Sequence, residues 1–250
     1  MKTVRKALAI LNSFTQDVKP LGVTEIAKKL GIHKSSSHAL LAALKDEGYV
    51  VFDPETRKYY LGFKILELAR KISYKRDLRD LSLPIMQELS KRCDEDVALN
   101  ILVEGKRVCI SLVESRYFVR QFVPLGKALP LHCSAAGKVL MAYLSQKEIE
   151  AIIKNYGLPA FTPNTITEKD RLIKELKKVK EKGYGESREE YGKDAAALAF
   201  PIFDSKGKVV ASLSIQSTVN RLTNSSKQRF IKEGIKSSKK ISTLLLDPLF

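Results

Sequence analysis

Between Thr24 and Leu61 the chain places two short apolar stripes of helical period on either side of a glycine and follows them with a hairpin. Ile26, Ala27 and Leu30 line one face of a helix that Thr24 is placed to cap, and Gly31 supplies a tight turn. A second helix spans residues 34–47, with Leu40, Leu41 and Leu44 inward and Gly48 as its stop. Tyr49-Val50-Val51-Phe52 and Lys58-Tyr59-Tyr60-Leu61 then read as paired strands across the turn Asp53-Pro54-Glu55-Thr56-Arg57. A preceding helix carries Val4, Ala7, Leu8, Leu11 and Phe14 at intervals of three or four, and Pro20 and Gly22 end that segment.

That order sets the start of the second helix into a DNA major groove. Lys34-Ser35-Ser36-Ser37-His38 suits such use, because short hydroxyls allow close approach while Lys34 and His38 supply charge and donors. Thr24, Lys34, Ser35, Ser36 and His38, with Arg57 and Lys58 on the wing, are the candidate DNA contacts. The bland alternative is a three-helix packing module whose serines only cap a helix.

Charge points the same way with less force. Lys and Arg number 44 against 28 Asp and Glu, a net charge of +16, which favours a polyanionic partner or anionic ligands. Residues 1–92 hold 18 of those cations and 10 of the anions, so half the excess lies in about a third of the length. An ordinary solvated helical surface would look similar. The N-terminus lacks the apolar run of a secretory signal, and no segment approaches the ~18 to 20 apolar residues of a membrane span. Cys93, Cys109 and Cys133 are odd in number and without CxxC spacing, which argues against a disulfide framework or a zinc cage. A cytoplasmic protein that needs no membrane, metal or cofactor is expected.

Beyond Gly62 two helices are expected up to about Arg92, the first a linker and the second opening a larger unit, with Pro84 near the start of the second. Strands follow at 98–103, 107–113 and 117–123, helices at 134–144, 146–155 and 168–182, strands again at 184–188, 196–203 and 209–218, and a last helix at 224–246. Ser205-Lys206-Gly207-Lys208 reads as a hairpin turn. Strands, then helices, then strands describe an α+β domain around an antiparallel sheet. The expected division is residues 1–61 for the helix-turn-helix and wing, 62–76 for a linker helix, and 77–250 for the larger domain.

In that domain Leu131-His132-Cys133-Ser134-Ala135-Ala136-Gly137-Lys138 combines an N-cap serine with residues too small to shield the backbone. The N–H groups of Ala135, Ala136 and Gly137 would then be open to a carboxylate or phosphate, helped by the helix dipole. Close packing of that helix against the sheet uses the same small residues, and spacing does not separate the two readings. Gly137-Lys138 is no phosphate loop, because Val139 stands where Ser or Thr would hold magnesium. Cys133 lacks a distant histidine in this domain, so no catalytic residue is assigned.

Taken in order, the octapeptide from Leu131 to Lys138, Lys182-Gly183-Tyr184 with Glu189-Glu190, Ala199-Phe200-Pro201-Ile202-Phe203-Asp204, Val210-Ala211-Ser212-Leu213-Ser214-Ile215 and Tyr60-Leu61-Gly62 resemble the IclR family of bacterial transcriptional regulators. The resemblance implies a winged helix-turn-helix, a linker helix and a GAF-like effector domain. It also implies homodimers or homotetramers on a palindromic or pseudo-palindromic double-stranded operator, with repression the favoured sign, and control by a small anionic metabolite such as an organic acid. Carried over by position, the effector pocket would use Phe118, Gln121, Leu129, Ser134, Ala135, Ala136, Ser187, Ala197, Ser214 and Gln216. Ser187 stands where relatives often have an acid, Ala197 where they often have Cys, and Ala39 where many have Arg on the recognition helix. A small-molecule enzyme with an accessory DNA-binding domain is the alternative, as is a constitutive binder whose larger domain only oligomerises.

Overall fold

The computed structural model describes residues 2–15, 19–70, 76–121 and 123–245, which fall into two compact units, Met1–Arg76 and Asp77–Phe250. Residues 71–75 of the expected linker, Phe122 of an expected strand and Leu246 at the expected end of the last helix lie outside the described residues.

The first unit contains α1 (Lys2–Ser13), α2 (Val23–Leu30), α3 (Lys34–Asp46), β1 (Val50–Asp53), β2 (Lys58–Leu61) and α4 (Phe63–Arg70). Its core joins Ile10, Leu21, Ile26, Leu41, Val50 and Tyr59. The buried face of α1 matches the expected one only in part: Leu11 and Phe14 pack against the core as expected, Ile10 and Ser13 are buried as well, and Val4 and Leu8 are 62% and 54% exposed. Ser13 is accommodated because its hydroxyl donates to the Ile10 carbonyl at 2.6 Å, which removes the penalty for burying a polar group. Thr24 is not the cap of α2. Gly22 takes that position, and its N–H donates to the Glu25 carboxylate at 2.6 Å, which leaves Thr24 inside the first helical turn.

Gly31 ends α2 in the left-handed conformation, φ 62°, which only glycine adopts without strain. β1 and β2 pair antiparallel from Val50 opposite Leu61 to Asp53 opposite Lys58. Leu21 adds a third short partner by exchanging hydrogen bonds with Tyr59 at 3.1 and 2.9 Å. This is a winged helix-turn-helix.

The second unit holds α5 (Arg76–Cys93), β3 (Asp96–Val103), β4 (Lys106–Val113), β5 (Ala128–Leu129), α6 (Ala135–Ala142), α7 (Gln146–Tyr156), α8 (Lys169–Lys182), β6 (Gly185–Arg188), β7 (Ala195–Phe203), β8 (Val209–Thr218) and α9 (Asn224–Leu244). The strands form one antiparallel sheet in the order β5-β4-β3-β8-β7-β6. Alternation along the strands sorts the two faces. Leu198, Phe200 and Ile202 of β7 and Ala211, Leu213 and Ile215 of β8 pack with α5 and α9. Ala197, Ala199, Ser212 and Ser214 face the other way, where their small size admits α6.

Pro84 lies well inside α5 instead of near its start. The strand expected at 117–123 does not form among the described residues. Side chains hold this segment instead: Asp96 accepts the Ser115 N–H at 2.7 Å, Arg221 donates to the Val119 carbonyl at 3.1 Å, and Gln121 donates to the carbonyls of Ala196 and Ser217. β5 takes the edge of the sheet beyond β4, pairing Leu129 with Arg107. The turn before β8 is as expected, with Gly207 at φ 71° and Asp204 accepting the N–H groups of Lys206 and Lys208.

α6 approaches its neighbours too closely for a side chain at Gly137, where a Cβ would stand 2.1 Å from the Leu131 carbonyl oxygen. Gly137→Ala is therefore expected to destabilise the second unit by about 1 to 3 kcal/mol through overpacking, read as an earlier melting transition by circular dichroism. An unchanged transition would mean that Leu131 yields at no cost.

Candidate functional site

In the first unit the exposed start of α3 presents Lys34, Ser35 and His38. Ser36 is half-buried, and Ser37 is fully buried with its hydroxyl donating to the His33 carbonyl at 3.2 Å. Ser37 thus serves the fold while its neighbours remain available. At the wing tip Asp53 folds the turn by accepting the Glu55 N–H at 3.0 Å and the Thr56 hydroxyl at 2.6 Å, bonds that hold its carboxyl below the usual range. Arg57 follows in a left-handed conformation, φ 53°, and is exposed, and Lys58 is half-buried.

In the second unit a cavity of about 410 Å³ borders the start of α6. Eight of the ten expected effector residues line it: Gln121, Leu129, Ser134, Ala135, Ala136, Ser187, Ala197 and Gln216. Two do not. Phe118 is entirely exposed, on the segment that fails to form a strand. Ser214 is fully buried inside the sheet, where it accepts from Asn100 at 3.0 Å and Gln216 at 2.8 Å and donates to the Ala98 carbonyl at 3.2 Å.

Ser134 caps α6, and its hydroxyl accepts the Gly137 N–H at 3.1 Å. The Gly137 N–H is therefore occupied, contrary to expectation. The N–H groups of Ala135 and Ala136 occupy the first two helical positions, which have no acceptor in the helical ladder. Cys133 also lines the cavity, but burial pushes its thiol up to about 12, so it is protonated near neutrality and a poor nucleophile. No group of three or more His, Cys, Asp or Glu side chains that could hold a metal occurs among the described residues.

Two buried charged residues of the lining were missed in the sequence. Arg107 is 8% exposed; its Nη1 donates to the Asn100 amide oxygen at 2.7 Å, while its buried Nε has no partner and no carboxylate pairs with it among the described residues. Burial pulls the guanidinium pKa below its ordinary value. The signal was present: along β4, Arg107 shares the buried phase of the alternation with Cys109 and Ser111. Glu190 is the second. Its Oε1 accepts from the buried Lys138 ammonium at 2.6 Å, and its Oε2 is buried without a partner. Burial pushes this carboxyl upward against the pull of Lys138, whose second contact is Glu175 at 3.4 Å.

A buried charge whose removal leaves a buried counter-ion unpaired costs about 3 to 5 kcal/mol to delete. Arg107 leaves only an amide, so Arg107→Met is expected to change the stability of the ligand-free protein by less than about 3 kcal/mol, the upper range for one hydrogen bond from a charged donor. Thermal unfolding decides it: a loss of about 3 kcal/mol or more would make Arg107 a structural residue.

Comparison with known proteins agrees with both units. The IclR helix-turn-helix domain matches residues 3–54, and the family described as bacterial transcriptional regulator IclR C-terminal matches residues 70–243. The transcriptional regulator XynR of Escherichia coli is 31% identical over 92% of this chain and 91% of its own. The transcriptional repressor AllR of Salmonella typhi is 31% identical over 98% of this chain and 90% of its own. Among solved structures, the IclR of Thermotoga maritima superimposes with a TM-score of 0.83 at 28% identity, covering 98% of this chain and 99% of the other. No described helix is long and apolar enough to cross a membrane. From the winged helix-turn-helix, the small-residue face that admits α6 and these matches together, the chain belongs to the IclR family of bacterial transcriptional regulators.

Proposed function

We propose that the protein is a cytoplasmic repressor that binds a palindromic or pseudo-palindromic operator as a homodimer or homotetramer and is controlled by a small organic acid held in the cavity beside α6. The observation that carries the effector reading is the buried Arg107 guanidinium, which borders that cavity with one N–H unpartnered. A carboxylate is the group that best completes it, because a buried cation gains most from a charged acceptor. The Ala135 and Ala136 N–H groups add donors of the same preference. Repression is supported by the AllR relative.

The acid acts by population shift, favouring the arrangement of the DNA-binding units that does not fit the operator's half-site spacing. In this reading the protein binds its ligand without turning it over, which the regulator relatives support and for which Cys133, protonated near neutrality, offers no ready nucleophile. Chromatography of an acid that shifts the melting temperature, after prolonged incubation, tests this point: consumption of the acid would favour the enzyme reading.

On DNA, Lys34, Ser35, Ser36 and His38 of α3 read the major groove, with Thr24 at the start of α2 beside the backbone and Arg57 and Lys58 gripping flanking phosphates. Arg57→Ala is expected to weaken binding to all sequences alike and to lower the salt slope of log K by about 0.9. Fluorescence anisotropy across a salt series measures it, and an unchanged slope would take Arg57 off the backbone.

Ala136→Leu fills the cavity from α6. It is expected to retain operator affinity and to lose the response to any acid that releases the wild-type protein. Mobility shifts with and without acid show the outcome, with circular dichroism confirming the fold; a full response in the variant would place the effector elsewhere.

A further inference from the structure

Among the described residues, two of the four buried side-chain polar atoms without a partner belong to residues that border one cavity, and they carry opposite charge: Arg107 Nε and Glu190 Oε2. A bare carboxylate answers only the first. Beside Glu190 it would meet like charge, because the Lys138 ammonium is already engaged by Glu190 Oε1 and by Glu175. The Lys138 contact at 2.6 Å favours the carboxylate form of Glu190 against the upward push of burial, and in that form its second oxygen only accepts. What satisfies both ends is a single small molecule with an anion at one position and a hydrogen-bond donor at another. Both residues line the same cavity, and 410 Å³ holds a molecule of several carbons.

We infer that the cavity selects a carboxylate that also carries a hydroxyl or ammonium group, with Arg107 taking the acid and Glu190 taking the donor. This rests on the cavity being the effector site. Arg107 sets the class of ligand, and Glu190 sets which members of that class bind, since it leaves a plain fatty or aromatic acid with an unanswered buried carboxylate.

Calorimetry on the full chain with three acids of equal length tests the inference: hexanoate, gluconate and 6-aminohexanoate. At least one donor-bearing acid is expected to bind roughly tenfold or more tightly than hexanoate, the increment of one hydrogen bond to a charged group. Preference for gluconate assigns the hydroxyl, preference for 6-aminohexanoate the ammonium. Equal affinity for all three, or binding of none, overturns the inference.

Glu190→Gln should erase the preference and leave hexanoate binding unchanged. Because that change leaves Lys138 with Glu175 alone, Arg107→Gln tests the other end and should weaken every acid that binds. A preference that survives Glu190→Gln in a folded protein also overturns the inference. Ala136→Leu separates the two readings: if it leaves acid binding intact, the cavity is not the effector site, whereas lost binding with no donor preference in the wild type defeats the role of Glu190 alone.

Discussion

The second unit is organised by the close approach of one buried helix to a sheet. Every residue of α6 is buried, and the approach needs Gly137 against the Leu131 carbonyl, Gly185 against Ala135, and a sheet face made of Ala197, Ala199, Ser212 and Ser214. Ser212 donates to the Ala136 carbonyl at 3.2 Å across that contact. Because these side chains are small, the helix can bring its first turn down onto the strands, and the cavity lies where that turn begins. Packing and ligand binding had looked like competing explanations of the small residues. The two are compatible in one geometry, since the small residues that permit the contact also leave the Ala135 and Ala136 N–H groups without a helical acceptor beside the cavity.

Charge placed around that turn has no explanation in the fold alone. Arg107 and Lys138 are both buried cations, yet only Lys138 has carboxylates to answer it. Elsewhere in the same unit buried charge is well matched, as where Glu95 takes the Ser217 hydroxyl at 2.6 Å and two Arg221 donors at 2.7 and 2.8 Å. Against that pattern an unmatched guanidinium in a cavity wall costs stability, which is the ground for proposing that it binds a ligand.

Period and punctuation made much of this visible in the sequence. The β8 alternation of Ala211, Leu213 and Ile215 with Ser212, Ser214 and Gln216 marks two faces, and Gly31, Gly48 and Gly207 mark turns by their positive φ. Misreadings came where a polar side chain satisfied itself locally. Ser13, bonded to its own helix, joined the buried side of α1, Glu25 reaching back to Gly22 displaced Thr24 as a cap, and Ser134 consumed the Gly137 N–H. The segment from Ser115 to Gln121 has strand-like composition, but its partners are side chains of Asp96 and Arg221 and distant carbonyls, which no local pattern announces. Arg107 was hidden differently: its phase was legible, and a charged residue on a buried phase was the clue.

The account stands on Arg107 as the anchor for an acidic effector. A crystal structure of the protein with an acid that releases it from its operator tests that directly. The account predicts a carboxylate oxygen at about 2.8 Å from Arg107 Nε, within the cavity beside α6. An acid bound away from Arg107, or one seated in that cavity with its carboxylate turned from the guanidinium, would contradict it.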